Sequence, residues 1–153
     1  MSALELRIPP PVVALVLALL MWLTADVAGL VQVSSAARVL CALALLFIGQ
    51  GISIAGMVAF RRAKTTVNPI KASSASSLVT RGVYGFTRNP MYLGLLLTLA
   101  AWAVFLASPF AVLWIAVYVA YITRFQITPE ERVLSALFGD AYGAYKERVR
   151  RWV

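Results

Sequence analysis

The chain has no histidine and a single cysteine among its 153 residues. Without an imidazole, histidine metal sites and Ser-His-Asp or Cys-His nucleophilic catalysis are excluded. With one cysteine no intrachain disulfide can form, and Cys41, set inside an apolar run, reads as packing or lipid-facing filler. Charge is scarce as well: 13% of residues are ionic, against about 25% in an ordinary soluble domain. Acids are the rarest, 6 against 14 basic residues, for a net charge of +8. In a soluble protein that excess would suggest nucleic acid. In a chain that is 61% hydrophobic, with a mean hydropathy of +0.84, it suggests the anionic face of a membrane. Membrane lipids are therefore the expected surroundings, and neither nucleic acid nor a metal is expected as a partner.

Four apolar stretches are present: Val12 to Val31, Val39 to Phe60, Met91 to Ala107, and Pro109 to Arg124. The first two have about 20 residues each, the length a helix needs to cross a bilayer. The third would be about 25 Å long at ~1.5 Å per residue, slightly under the hydrocarbon thickness. It meets the fourth at Ser108-Pro109, so the two read as a tight hairpin with Arg124 snorkelling at its exit. The expected architecture is an all-α, polytopic membrane four-helix bundle forming one domain. It carries a cytoplasmic loop over 61–90 and a cytoplasmic tail over 128–153 with amphipathic helices. A cleaved signal peptide is the alternative for the first stretch, since Arg7 precedes an apolar core.

Four spans put the N-terminus, the loop and the tail on one side. That side holds 13 of the 14 basic residues, and only Arg38 lies on the other. The positive-inside rule then makes both termini cytoplasmic. The loop is long for a bundle connection, which normally takes about two to eight residues. Its stretch Ala72 to Ser77 reads as a tether, and the later Leu78-Val79 and Gly82-Val83-Tyr84 read as a lid or binding element.

Polar chemistry gathers on the cytoplasmic side. In Thr87-Arg88-Asn89-Pro90-Met91-Tyr92-Leu93-Gly94, Pro90 suits a first helical position and Asn89 its N-cap. Two readings stand side by side. Arg88 anchors, Asn89 caps and Gly94 packs; or the capped helix end and Arg88 together form a site for a carboxylate or phosphate. Thr128-Pro129-Glu130-Glu131 has capping-box spacing, which accounts for Glu131 but less well for Glu130. Two neighbouring acids at a membrane surface can also hold a cationic group. A short helix should stop at Gly139, and Asp140 should cap a last helix from Ala141 to Trp152. On that helix Tyr142, Tyr145, Val149 and Trp152 share one face, while Lys146, Arg148, Arg150 and Arg151 anchor it to headgroups. Within the spans the polar residues are Asp26, Gln50, Ser53 and Thr98, and Gly49, Gly51 and Gly56 read as packing positions.

In order, Leu78-Val79-Thr80-Arg81-Gly82-Val83-Tyr84, Arg88-Asn89-Pro90-Met91-Tyr92-Leu93-Gly94, the hairpin, Glu130-Glu131-Arg132-Val133-Leu134, Phe138-Gly139, Tyr142, Tyr145 and Arg151-Trp152 resemble the isoprenylcysteine carboxyl methyltransferase and phospholipid methyltransferase superfamily of integral-membrane enzymes. The resemblance runs from Leu78 to the end; the first two spans match only in being apolar. Asn89 stands where that superfamily has histidine in an arginine-histidine-proline motif, a form resembling a bacterial variant, and the expected location is the bacterial inner membrane.

The resemblance implies S-adenosylmethionine as cofactor, S-adenosylhomocysteine as product, and a hydrophobic or lipid-like methyl acceptor. It implies that Leu78, Val79, Gly82 and Tyr84 line the adenosine side, and that Arg88, Asn89, Pro90, Met91, Tyr92 and Gly94 shape the pocket at the third span. Glu130 and Glu131 would face the polar end of the cofactor, with Leu134 and Tyr142 closing it. Chemically, Arg88 and the helix end suit a carboxylate, and the two acids suit the cations. Methyl transfer needs alignment and a dry pocket more than a strong base, so the lack of histidine is no obstacle. An amine acceptor would first need deprotonation, for which Glu130 or Glu131 is the available group; otherwise no catalytic residue is assigned. A small four-span transporter and a non-catalytic member of the same superfamily are the competing readings.

Overall fold

The computed structural model describes residues 5–27, 29, 31–63 and 77–153. Among them the chain is helical, with no strand. Helix α1 spans Pro10–Leu23, α2 Ser35–Arg62, α3 Pro90–Leu106, α4 Ala111–Ile122 and α5 Thr128–Arg148, with a short 3-10 turn at Gly82–Gly85. A π turn, Thr123–Ile127, joins α4 to α5. Two helical runs are long and apolar enough to cross a membrane, Ser35–Arg62 and Ala111–Arg148, and α1 and α3 are shorter apolar helices.

The helices differ from the expected stretches at several ends. The first was expected to run to Val31 but α1 stops at Leu23. There Thr24 turns its hydroxyl back on the Leu20 carbonyl at 2.7 Å, and the chain continues in turns to Val27. Competition of this kind from a threonine side chain weakens a helix end. The chain then crosses to the hairpin, where the Val31 amide donates to the Ala107 carbonyl. The second helix is longer than expected, beginning at Ser35. The third matches its expected range within a residue, closing at Ala107 in the left-handed region. The tether over 72–76 lies outside the described residues, but Ser77 donates to the Ala63 carbonyl, so the described flanks of the loop meet.

Helix α3 is the centre of the bundle, packing against α1, α2 and α4. Met21, Leu99, Tyr118, Ile122 and Ile127 are buried there. Two tryptophans tie the far end together: Trp102 Nε1 donates to the Ala18 carbonyl and Trp114 Nε1 to Thr24 Oγ1. The outward faces are apolar, with Leu15, Leu40, Phe47 and Val112 all more than half exposed. An apolar exterior of that extent fits hydrocarbon rather than water.

The tightest crossing is between α2 and α3. A Cβ at Gly94 would overlap Ser53 Oγ and crowd the Gly49 carbonyl oxygen. One at Gly49 would lie 2.8 Å from the Gly94 carbonyl, and one at Gly56 3.0 Å from Pro90. Small residues let the backbones approach, and Gln50 donates across to Thr98, which donates to the Gly94 carbonyl. Gly94→Ala is therefore expected to force α2 off α3 and cost about 1–3 kcal/mol or more, the scale of overpacking. Gly51→Ala, where a Cβ meets nothing within 4 Å, should leave stability unchanged or slightly raised. Thermal unfolding of both variants in detergent checks the pair.

Candidate functional site

At the N-terminal end of α3, four segments converge. They are the 3-10 turn, the loop Thr87 to Asn89, the first turns of α5, and the C-terminal segment. That last segment is the largest departure from expectation. The final helix was expected to reach Trp152, but α5 ends at Arg148 and Val149 is extended at φ −126°, ψ 129°. Residues 149–152 turn back along the loop. The Arg88 amide donates to the Arg150 carbonyl at 3.0 Å, and Asn89 Nδ2 donates to the Arg151 carbonyl at 2.8 Å. Thr87, also buried, directs its hydroxyl toward that same carbonyl.

Asn89 does sit at the N-cap position of α3, but its side chain does not cap the helix. Its amide is engaged by the C-terminal segment instead, so the first turn of α3 has no side-chain cap. The capping box at Thr128 is likewise not formed. No helix begins there, because α4 runs through the π turn into α5, and the Thr128 hydroxyl donates back to the Thr123 carbonyl at 2.7 Å. Gly139 takes a positive φ of 48° with ψ −124°, and this break divides α5 into two helical pieces at the expected stop.

Glu131, released from a capping role, is the hub of an ion cluster. It accepts from Arg88 Nη2 at 2.9 Å and from Arg151 Nη2 at 2.6 Å and Nε at 3.1 Å. The Arg88 and Glu131 side chains are only 11% and 15% exposed. The bond to Glu131 holds the Arg151 guanidinium charged, raising it above its ordinary value. Arg151, read from sequence as a headgroup anchor, is thus a site residue, whereas Lys146, Arg148 and Arg150 are exposed.

Glu130 turns the other way. The Tyr92 hydroxyl donates to its carboxylate at 2.5 Å, and Tyr118 donates to the Tyr92 carbonyl. Burial pushes Glu130 up to about 7; the Tyr92 bond opposes this and the charge of Glu131 adds to it. Tyr84, in edge contact with Phe60, is pushed up by its own burial, then by Tyr145 and Glu130. Tyr145 donates to the Tyr84 carbonyl at 2.7 Å and is pushed up to about 12, mainly by burial. Tyr142 is raised by burial and by Glu131.

The other sequence candidates divide by environment. Leu78 and Leu134, with Phe138, pack on Tyr142, Tyr145 and Val149 in a second small core. Trp152, expected on that face, instead packs on the main bundle and donates toward Thr123. Val79 is half-buried, and Gly82 opens the 3-10 turn at φ +66°. Pro90 and Gly94 face α2, with Met91 beside Gly56, so these three border the α2/α3 crossing. Sequence reading missed the clasp of Thr87 by the C-terminal backbone, and also Gln126, a buried amide between Phe125 and Ile127. A glutamine set between two large apolar residues was its only signal.

The sequence profile of the phospholipid methyltransferase family matches residues 37–141. Protein-S-isoprenylcysteine O-methyltransferase B of Arabidopsis thaliana is 30% identical over 107 residues, covering 70% of this chain and 54% of the relative. Protein-S-isoprenylcysteine O-methyltransferase of Schizosaccharomyces pombe is 28% identical over 108 residues, 71% of this chain and 46% of the relative. The chain thus spans about half the length of these relatives. An uncharacterized protein of Haemophilus influenzae is 46% identical over 63 residues, 41% of this chain and the whole of that protein. No solved structure matches at a significant level. With the profile matching most of the chain and two helices long and apolar enough to cross a membrane, this is a membrane protein of the phospholipid methyltransferase family.

Proposed function

We propose that the protein transfers a methyl group from S-adenosylmethionine to a lipid-like acceptor, at the cytoplasmic mouth of a four-span bundle with both termini inside. The observation that carries this reading is the split environment of two adjacent acids. Glu131 is engaged by Arg88 and Arg151, while Glu130 stands on Tyr92 beside buried tyrosines. The residues fit such a cofactor on a separate ground as well. Among the described residues, Tyr84 Oη and Arg88 Nε are buried with no hydrogen-bond partner, and buried polar atoms left unmatched are costly unless a ligand or water meets them. Arg88, Asn89, Tyr84, Tyr92, Glu130 and Tyr142 would hold it, and when bound it supplies an electrophilic methyl on a sulfonium. The protein's own part is to bind, orient and exclude water. Glu130 balances positive charge, the uncapped turn of α3 offers amides to a carboxylate, and the core around Leu78 and Leu134 shuts one side. For an amine acceptor Glu130, raised toward neutrality by its burial, is the available proton acceptor.

An apolar groove of about 560 Å³ supports the lipid-like acceptor. It opens between α1, α2 and α3, and Leu15, Ala18, Leu43, Leu46, Leu95 and Trp102 are among its walls. That is room for a hydrocarbon chain, entered sideways from the bilayer. The location expected for such a protein is the bacterial inner membrane.

Calorimetry of the full chain in nanodiscs with S-adenosylmethionine is the direct test, and absence of binding overturns the proposal. A cationic ligand favours ionised Glu130, so below about pH 7 binding must expel a proton; affinity should fall by up to about tenfold per pH unit as pH drops. Glu130→Gln should bind weakly with that dependence flattened. Glu131→Gln, which leaves Arg88 poorly compensated, should instead lose about 3–5 kcal/mol of stability. Leu46→Trp, filling the groove, should abolish methyl transfer to membrane lipids or prenylcysteine analogues, read by radiolabel, while leaving cofactor affinity unchanged. Cofactor binding by wild type with no transfer to any such acceptor would favour a non-catalytic member.

A further inference from the structure

The segment before α1 makes contacts that neither the bundle nor the cofactor site explains. Glu5, with its side chain only 4% exposed, bridges Arg132 at 2.6 Å and Arg124 at 3.5 Å. The Leu6 amide donates to the Phe125 carbonyl at 3.0 Å. The Ile8 carbonyl accepts from Gln126 Nε2 at 2.8 Å. Leu6 holds a left-handed φ of 56°, a conformation costly for a leucine and kept only where surroundings enforce it. All these contacts fall on the junction between α4 and α5, from Arg124 to Arg132.

That junction has a defect to satisfy. Pro129 has no N–H, so the carbonyl four residues before it, that of Phe125, loses its ordinary α-helical donor. It is this carbonyl that the Leu6 amide meets. The π turn Thr123–Ile127 lies at the same place. A π turn carries one extra residue, so the helix beyond it is rotated by about 100° relative to an unbroken α-helix. Glu130 and Glu131 are the first side chains beyond Pro129, and their aim at Tyr92 and at the two arginines depends on that rotation.

We propose that Glu5 to Ile8 is a positioning element: it holds the π turn by completing the bond that Pro129 leaves open and by pinning both flanks through Arg124, Gln126 and Arg132, and so sets the aim of Glu130. Glu5 and Gln126 are its positioning residues. Its consequence for cofactor binding rests on the methyltransferase reading; its geometric claim does not.

The test places 3-fluorotyrosine at Tyr92 in the full chain in nanodiscs and reads its fluorine resonance, with Glu130→Gln marking the signal of a lost Tyr92–Glu130 bond. Glu5→Ala and Gln126→Leu are expected to move the resonance toward that mark and to weaken S-adenosylmethionine binding by about tenfold, a 1.4 kcal/mol effect. The second variant serves if the first does not fold. A wild-type resonance in the variants, with only a lower melting temperature, overturns the proposal and leaves the segment a structural brace. Failure of wild type to bind the cofactor overturns the functional reading alone, since the resonance still decides the positioning claim.

Discussion

The end of the molecule where α3 begins depends on one carboxylate held between two guanidinium groups. Arg88 comes from the loop before α3, Glu131 from the first turn of α5, and Arg151 from the C-terminal segment. No two of the three lie on one secondary-structure element, so the cluster closes three separate chain segments at once. Backbone bonds follow its lead: Arg150 and Arg151 carbonyls accept from the amide of Arg88 and the side chain of Asn89. A pair as little exposed as Arg88 and Glu131 gains little net stability, because desolvation offsets attraction. Its value is in specifying one arrangement, since any other leaves a charge unmatched near hydrocarbon.

Beneath that cluster the bundle is built on absence of side chain. The α2/α3 crossing is set by Gly49, Ser53, Gly56 and Gly94, where backbones rather than side chains meet. In lipid there is no hydrophobic gain from bringing two apolar helices together, so close backbone contact and hydrogen bonds such as Gln50 to Thr98 carry the association. This crossing fixes where α3 begins relative to the end of α2, and so brings Phe60 against Tyr84 at the site's edge. Packing in the spans and chemistry at the mouth are linked through α3.

Much of this was legible in the sequence, and the reasons are local. Pro90 after Asn89 marked the start of α3 within a residue, because proline is tolerated at a first helical position and breaks the helix before it. Of the face expected from helical spacing, Tyr142, Tyr145 and Val149 come together in a small core, while Trp152 packs on the main bundle. The expectations that failed turned on contacts that spacing alone does not reveal. Asn89 reads as a cap until the Arg151 carbonyl, 62 residues away, takes its amide. Thr128 with Glu131 has the spacing of a capping box, but spacing does not reveal that the preceding helix continues. Thr24 gave a local hint that α1 ends early, outweighed by the apolar residues beyond it. Residues 64–76 of the loop, which include all of the expected tether except Ser77, lie outside the described residues.

Adjacent acids need not do the same work, and here the helix separates them. Neighbouring positions on a helix point about 100° apart, so Glu131 can reach toward Arg88 and Arg151 while Glu130 faces Tyr92 on α3. One is compensated by fixed protein charge. The other is buried against phenols, with its proton affinity raised toward neutrality. A carboxylate compensated in advance gains little from a cationic ligand, because its field is already met by the arginines. One kept short of a counter-charge gains the most, and burial is what keeps it short. The geometry therefore gives Glu131 the task of holding three chain segments together and leaves Glu130 without a guanidinium partner among the described residues, facing Tyr92.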